Sequence, residues 1–441
     1  MKFIKKIMSA SAPLTLTTAT LLSASCNNKT TEKTKENLDL LWDTEITITN
    51  SWINPGFQKT KKETDFLNLL SKRFNELKNK DKSTKHLPDV KFNIETKDKS
   101  TYIQDIENDN KKNDLLIANY TVFSENFWQD GKFVNDNNPK LVAQTSTLKF
   151  NWQSSDNDLY KDGTSTDPLR IAAIKNNEVW VKNTGFEYPD WPEAIKQNKI
   201  NFDGSKYDTF YSKDKLTYVY HGAILISGNF AKRTEITKDW EDRNWEKFVS
   251  HGIVYSKNTS AGGFKYQAAL LARHFNKPLT EILEYLNSNS EYVFKGSKPK
   301  SQLGKESQNS KGEKIVPHIA FDDEGSYNWT ENNGKNNYYK PQGFKSNKSY
   351  EDQENDVIRT LTLTNPAAYD VVLGRKGLHD KQVELIAKAL TSLTVQENTY
   401  GIYTGYNKFQ LLSNELFQKF VKLQVQAESV QDLVNDIPEI N

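Results

Sequence analysis

Residues 44–52, TEITITNSW, alternate polar and apolar side chains, the period of a half-buried strand, and would point Trp52 out of its C-terminal end. The next run, TDFLNLLSKRFNELKNK, changes period. It places Phe66, Leu67, Leu69, Leu70, Phe74 and Leu77 on one helical face and offers Thr64 as an N-cap. DVKFNIET then returns to strand, and NDLLIANYT adds another. A strand, an amphipathic helix and further strands ending in polar residues admit few architectures. The fold class expected is α/β.

The chain has 441 residues, enough for two or three domains of roughly 100–200 residues each. Aromatic residues make up 12% of it, ample for a sizeable core. Basic and acidic residues number 59 and 57, for a net charge of +2. No basic stripe stands out, which argues against a general nucleic-acid binder.

One cysteine, Cys26, sits in LLSASCNNK. Before it come Lys2, Lys5 and Lys6, then a modestly apolar stretch through Leu14, Leu16, Leu21 and Leu22. A basic start, an apolar middle and small residues before a break read as an export signal. Small residues running directly into cysteine resemble a bacterial lipobox, in which Cys26 would be lipidated and become the mature N-terminus; Ser23, where a larger aliphatic or alanine is commoner, and the threonine-diluted middle depart from the pattern. The alternative is an ordinary signal peptide with Cys26 there by chance. No second cysteine exists to pair with it, so no disulfide is expected. No later run approaches the ~20 apolar residues of a membrane span. The polar stretch NNKTTEKTKENLDLL reads as a tether.

Further along, LTYVYHGAILISG at 216–228 is a long β-rich run, and HGIVYSK follows a Trp-rich helix. NTSAGGFKYQAALLARHF then brings Asn258, Thr259 and Ser260, two glycines and an amphipathic helix. Hydroxyls and free amides at a helix start can hold an anion; they can equally be a plain N-cap. Residues 296–314 and 331–356 read as exposed loops. LTLTNPAAYDVVLGRKGL is β-rich and breaks at Asn365-Pro366, and the remainder is helical around NTYGIYTGYNKF.

Enzymatic signatures are missing. The six histidines show no paired ligand spacing, and no P-loop, GxSxG or dinucleotide fingerprint occurs. No metal and no bound cofactor is expected. Asp322, Asp323 and Glu324 could form a catalytic carboxylate cluster or simply be solvated acids in a turn. What recurs is aromatics beside glycine or asparagine at element ends: Trp52, Tyr220 before His221-Gly222, Tyr327 and Trp329, Tyr369 before Asp370, and Tyr400, Tyr403 and Tyr406. Singly, each is a core residue as readily as a pocket wall. Together, in an exported α/β chain, they suggest a cleft built from distant segments.

Five segments carry a resemblance. They are YKDGTSTDPL (160–169), YHGAILISGN (220–229), HIAFDDEGSYNWT (318–330), TNPAAYDVVLGRK (364–376) and NTYGIYTGYN (398–407). In that order they resemble the mycoplasma high-affinity transport system lipoproteins, the extracytoplasmic thiamine-binding (Cypl) family. That family is in turn related to phosphonate-type substrate-binding proteins of ABC transporters. The resemblance implies a type II periplasmic-binding-protein fold, two α/β lobes with ligand in the cleft between them. It implies no enzymatic activity and a thiamine or thiamine pyrophosphate ligand. It also implies an ABC permease as partner and a lipid anchor on the extracellular face of the cell membrane.

Under this reading the signal peptide is 1–25, the lipidated cysteine and tether 26–43, the first part of lobe 1 44–217, lobe 2 218–371, and the return to lobe 1 372–441. The expected ligand-binding residues are Trp52, Tyr220, His221, Ser260, Asp322, Ser326, Asn328, Trp329, Tyr369 and Asp370. Tyr220 and Trp329 would clamp the ring system, since a cation over an aromatic face gains about 0.5–2 kcal/mol. Ser260 would lie near the phosphate, with backbone amides doing most of the work. A phosphonate or phosphate-ester binder, an exported phosphatase and a surface adhesin are the alternatives.

Overall fold

A computed structural model describes residues 38–54, 56–134, 139–197, 207–296, 298–326, 339–349, 352–431 and 436–438. Cys26, Asn328 and Trp329 therefore lie outside the described residues. Along the chain the strands are β1 (Glu45–Asn50), β2 (Lys91–Thr96), β3 (Leu115–Ala118), β4 (Lys140–Phe150), β5 (Tyr211–Thr217), β6 (Gly222–Gly228), β7 (Ile253–Tyr255), β8 (Val293–Lys295), β9 (Ile319–Asp323), β10 (Val357–Leu363), β11 (Val371–Gly374) and β12 (Lys408–Leu411). The helices used below are α1 (Lys61–Lys80), α2 (Pro168–Thr184), α3 (Phe230–Glu241), α4 (Tyr266–His274), α5 (Asp380–Ser392), α6 (Thr399–Thr404) and α7 (Asn414–Ala427).

Two sheets result. The larger runs β12-β4-β11-β3-β1-β2, with β5 paired to β4. The smaller runs β8-β7-β9-β6-β10. In the larger sheet β1 is parallel to β2 and β3, while β11 is antiparallel to β3 and β4. In the smaller, β7 is parallel to β8 and β9, while β6 is antiparallel to β9 and β10. This mixed α/β pairing is the two-lobed arrangement expected of a type II periplasmic-binding protein.

The chain passes between the sheets through 218–221 and returns through 364–370. The two passages pair antiparallel, Ala367 with Tyr220 and Ala368 with Val219. Thus the single β-run expected at 216–228 is broken into β5, the short Val219–Tyr220 bridge and β6. Tyr218 and His221 interrupt it because the backbone there changes sheets. The segment 44–217 also divides. Its helix α2 packs on β10 of the smaller sheet, where Asn177 Nδ2 donates to Thr360 O (3.1 Å) and Arg170 Nη1 to Leu361 O (2.9 Å). Placing all of 44–217 in the first lobe is therefore corrected: the excursion carrying α2 covers the smaller sheet.

Helix α1 starts one turn before the expected Thr64 cap. Glu63 reaches back to accept from Lys59 N–H (2.8 Å), and Thr60 takes the cap position. Phe66, Leu70 and Phe74 then bury at four-residue spacing, while Leu67, Leu69 and Leu77 flank them half-buried. Among the described residues no helix is long and apolar enough to cross a membrane.

Two histidines are held neutral inside. The His274 ring stacks on Trp240 at 3.6 Å; its Nε2 donates to Trp240 O and its Nδ1 accepts from Tyr160 Oη. Burial lowers the pKa of His274 to about 4, and burial does the same to His318. Between pH 6.5 and 4 the unfolded chain therefore binds protons that the folded one refuses, so stability falls as pH drops through this window. The expected result is a urea midpoint lower at pH 4.5 than at pH 7. His274→Gln should narrow that gap, and a midpoint independent of pH would contradict it.

Candidate functional site

The ends of the two sheets and the crossing passages enclose a cavity of about 320 Å³. From the larger sheet come Thr147, Leu148 and Phe150 of β4, Tyr211 of β5, Trp52 beyond β1 and Thr404 at the end of α6. The crossing passages give Val219, Tyr220 and Tyr369. The end of β9 gives Asp323, Glu324 and Ser326, and Gln153 completes the wall. Its volume lies at the small end of the range for small-molecule sites, roughly 300–1,000 Å³.

Five aromatic residues, Trp52, Phe150, Tyr211, Tyr220 and Tyr369, contribute to this surface. Phe150 and Tyr211 are cross-strand partners, and their rings stack at 4.4 Å with 26° between planes. Trp152 stacks on Phe150 at 4.2 Å and 15°. The ring of Phe150 presses on Gly325, whose φ is +68° and where a β-carbon would meet Phe150 Cζ at 2.4 Å. This is the structural reason for a glycine just after the acids: no other residue suits both the backbone and the ring.

Tyr220 stands edge-on to Tyr266 (5.6 Å) and to Tyr369 (5.9 Å). Its hydroxyl meets Tyr266 Oη at 2.7 Å and accepts from Asn119 Nδ2. Asn119 follows β3 of the larger sheet, and Tyr266 opens α4, which packs on β6 of the smaller one. One hydroxyl thus ties the two lobes together beside the cavity.

The acids separate by role. Glu324 is buried and accepts from Trp152 Nε1 (2.5 Å) and Gln153 Nε2 (2.7 Å), and burial raises its pKa. Asp322 turns to the Tyr339 hydroxyl, and burial raises its pKa too. Asp323 stands at the exposed end of β9 and lines the cavity. Desolvation, then the neighbouring Asp322, raises its pKa to about 7.

Of the residues expected from sequence, Trp52, Tyr220, Ser326 and Tyr369 line this cavity, Trp52 being 46% exposed. His221 does not: it is buried, with Nδ1 donating to Thr364 O at 2.7 Å. Asp370 accepts from the Tyr406 hydroxyl (2.5 Å) and is not part of the wall. Asp322 is likewise off the wall. Ser260 caps a helix start: its Oγ accepts from Gly263 N (3.2 Å), and it does not reach the cavity. Sequence reasoning passed over Phe150, Gln153, Tyr211 and Thr404. Only the hydroxyl-rich run QTST in β4, followed by Phe150 and then Trp152 just beyond the strand, could have drawn notice.

Comparisons with known proteins agree on one family. The family model CypI, described as extracytoplasmic thiamine-binding lipoprotein, matches residues 64–426. A protein of Mesomycoplasma hyorhinis named high affinity transport system protein p37 is 28% identical over 400 residues, covering 86% of this chain and 90% of its own. The Mycoplasma pneumoniae protein of the same name is 29% identical over 279 residues, covering 62% and 68% respectively. The solved structure of Mh-p37 from Mycoplasma hyorhinis, described as a candidate thiamine pyrophosphate transporter, has a TM-score of 0.69 at 27% identity. It covers 88% of this chain and 99% of its own.

Proposed function

Since the chain belongs to the CypI family of extracytoplasmic thiamine-binding lipoproteins, we propose that it is the substrate-binding component of an ABC importer and takes thiamine or a thiamine phosphate into the interlobe cavity. One observation carries this reading beyond family membership. A cavity at the crossing passages presents stacked aromatic faces together with a carboxylate. Thiamine joins a cationic thiazolium to an aminopyrimidine. Flat rings suit aromatic walls, and the cation suits both a ring face and a carboxylate.

The binding role needs no chemistry on the ligand. Closing the lobes on it would bury the rings and add contacts that the open form lacks, which is how ligand biases such an equilibrium. Native mass spectrometry of the protein as purified from a thiamine-containing medium tests the reading. Thiamine or a phosphate ester of it should be recovered unchanged. A different ligand class, or conversion of added thiamine pyrophosphate during incubation, would overturn it.

The anchor belongs to the same proposal. Cys26 carries the lipid, holding the protein at the outer membrane face beside its permease. Stable anchoring takes more than one acyl chain, at about 0.8 kcal/mol per buried methylene. Cys26→Ser is therefore expected to lose metabolic labelling with palmitate and to shift from the detergent phase to the aqueous phase. Equal partitioning of variant and wild type would contradict a lipid at Cys26.

A further inference from the structure

We propose that Glu235, Asp239 and His251 form a binding site for a divalent metal ion of the zinc class, on the smaller lobe and remote from the ligand cavity. The proposal does not depend on which ligand that cavity takes.

The fold assembles the three ligands. Glu235 and Asp239 stand one turn apart on α3, so both carboxylates project from one helical face. His251 ends the short helix Trp245–Ser250, just before β7, and that helix packs on α3. One ligand atom from each of the three lies within 4.8 Å of the others. Asp239 and His251 are buried, and Glu235 is exposed. The expectation of no metal rested on histidine spacing along the chain, which does not register such a meeting.

The donor set suits such an ion. His251 Nε2 stands 2.8 Å from Asp239 Oδ2. The other Asp239 oxygen accepts no hydrogen bond from the described residues, although the residue is only 7% exposed. A buried oxygen of this kind calls for a partner. Glu235 borders a surface cavity of about 370 Å³ that His318 also lines. His318 Nδ1 donates to Ser227 O (3.0 Å), which leaves a lone pair on Nε2, and Nε2 has no partner among the described residues. Two carboxylates balance a divalent charge, and an imidazole nitrogen favours zinc over magnesium or calcium. Coordination at His251 Nε2 takes the place of the hydrogen shared with Asp239, and the neutral ring then carries its hydrogen on Nδ1. Lys232 Nζ pairs with Glu235 Oε2 (2.6 Å) and must release it; Asp356 on the same cavity wall offsets that lysine.

The register of the smaller sheet sets the site apart from the ligand. Ile253 of β7 pairs with Ile319 of β9, so His251 and His318 sit at the same end of that sheet. Asp323, on the wall of the ligand cavity, is at the other end of β9. Five residues of strand span about 16 Å, so an ion at His251 would not touch the ligand. It would instead pin α3 to the turn before β7 and stabilise the smaller lobe by mass action.

Equilibrium titration of the full chain, carrying no polyhistidine tag and stripped with EDTA, tests this with zinc alone as the probe. One zinc ion per chain is expected, with a Kd of about 10 µM or tighter. Magnesium in large excess should not displace it. Glu235→Gln, at the exposed edge of the cluster, should weaken zinc by about tenfold or more, and His251→Gln should do the same. Zinc should raise the thermal midpoint of wild type and leave that of Glu235→Gln unmoved. Circular dichroism of the metal-free proteins shows whether the variants fold; if His251→Gln does not, Glu235→Gln decides. Zinc binding weaker than about 10 µM overturns the proposal, and so does a loss under about tenfold in Glu235→Gln. His251 and Asp239 would then be a structural pair only. Neither result bears on the thiamine reading.

Discussion

Arg375→Met is expected to lower folding stability by about 3–5 kcal/mol, the cost of leaving a buried charge without its partner. Arg375 follows β11 and is 1% exposed. Its Nε donates to Asp114 Oδ1 (2.8 Å), its Nη1 to Asp109 Oδ1 (2.6 Å) and its Nη2 to Asp43. These carboxylates come from before β1 and from the approach to β3, so one guanidinium joins three strand ends of the larger sheet. Asp114 also accepts from Thr47 N (2.9 Å), which fixes it in place. Burial already raises the pKa of Asp114, and Arg375 works against that shift. In the variant the opposing charge is gone, so folded Asp114 should hold its proton to higher pH than the unfolded chain does. A group with a raised folded pKa favours folding at low pH and loses that contribution as pH rises. The gap between variant and wild type in urea midpoint should therefore be wider at pH 7 than at pH 5. Equal midpoints at both pH values would show that the three acids are held by other means.

Tyr220→Ala is expected to weaken thiamine binding by about 30- to 1000-fold, or roughly 2–4 kcal/mol. The change removes a ring that lines the cavity together with its edge contacts to Tyr266 and Tyr369. Tyr220→Phe separates the two roles of this residue. It keeps the ring but deletes the hydroxyl between Asn119 and Tyr266. A net hydrogen bond is worth about 1 kcal/mol, so the Phe variant should bind only about fivefold more weakly. It should also leave the lobes less firmly tied, visible as faster amide exchange in the crossing passages. Thiamine affinity unchanged in a folded Tyr220→Ala would remove this ring from the site.

The α/β class was legible because period changes between strand and helix are local. TEITITN alternates, and Phe66, Leu70 and Phe74 repeat at helical spacing. The break in 216–228 was not legible, because Tyr218 and His221 are as β-prone as their neighbours. Only the pairing of Val219–Tyr220 with Ala367–Ala368 shows the chain changing sheets. The same holds for α2, whose position on β10 depends on polar contacts between residues about 180 apart in sequence.

The site follows the same logic. Aromatics beside glycine at element ends led correctly to the cavity at Tyr220, Tyr369 and Trp52. Neighbours of these residues pointed elsewhere, because adjacent side chains on an extended backbone face opposite ways: His221 beside Tyr220 and Asp370 beside Tyr369 both turn into the protein. Asp322 and Asp323 divide in the same fashion, one to Tyr339 and one to the cavity. Phe150 and Tyr211 were missed because their meeting is set by the register between β4 and β5, which no local pattern displays.

The account stands on a cationic aromatic ligand held between the lobes. Isothermal titration of ligand-stripped protein with thiamine, followed by small-angle scattering at saturation, tests this most directly. The predicted result is one thiamine per chain with a smaller radius of gyration than the free protein. The contradicting result is no heat of binding and an unchanged scattering profile in protein shown to be folded and free of ligand.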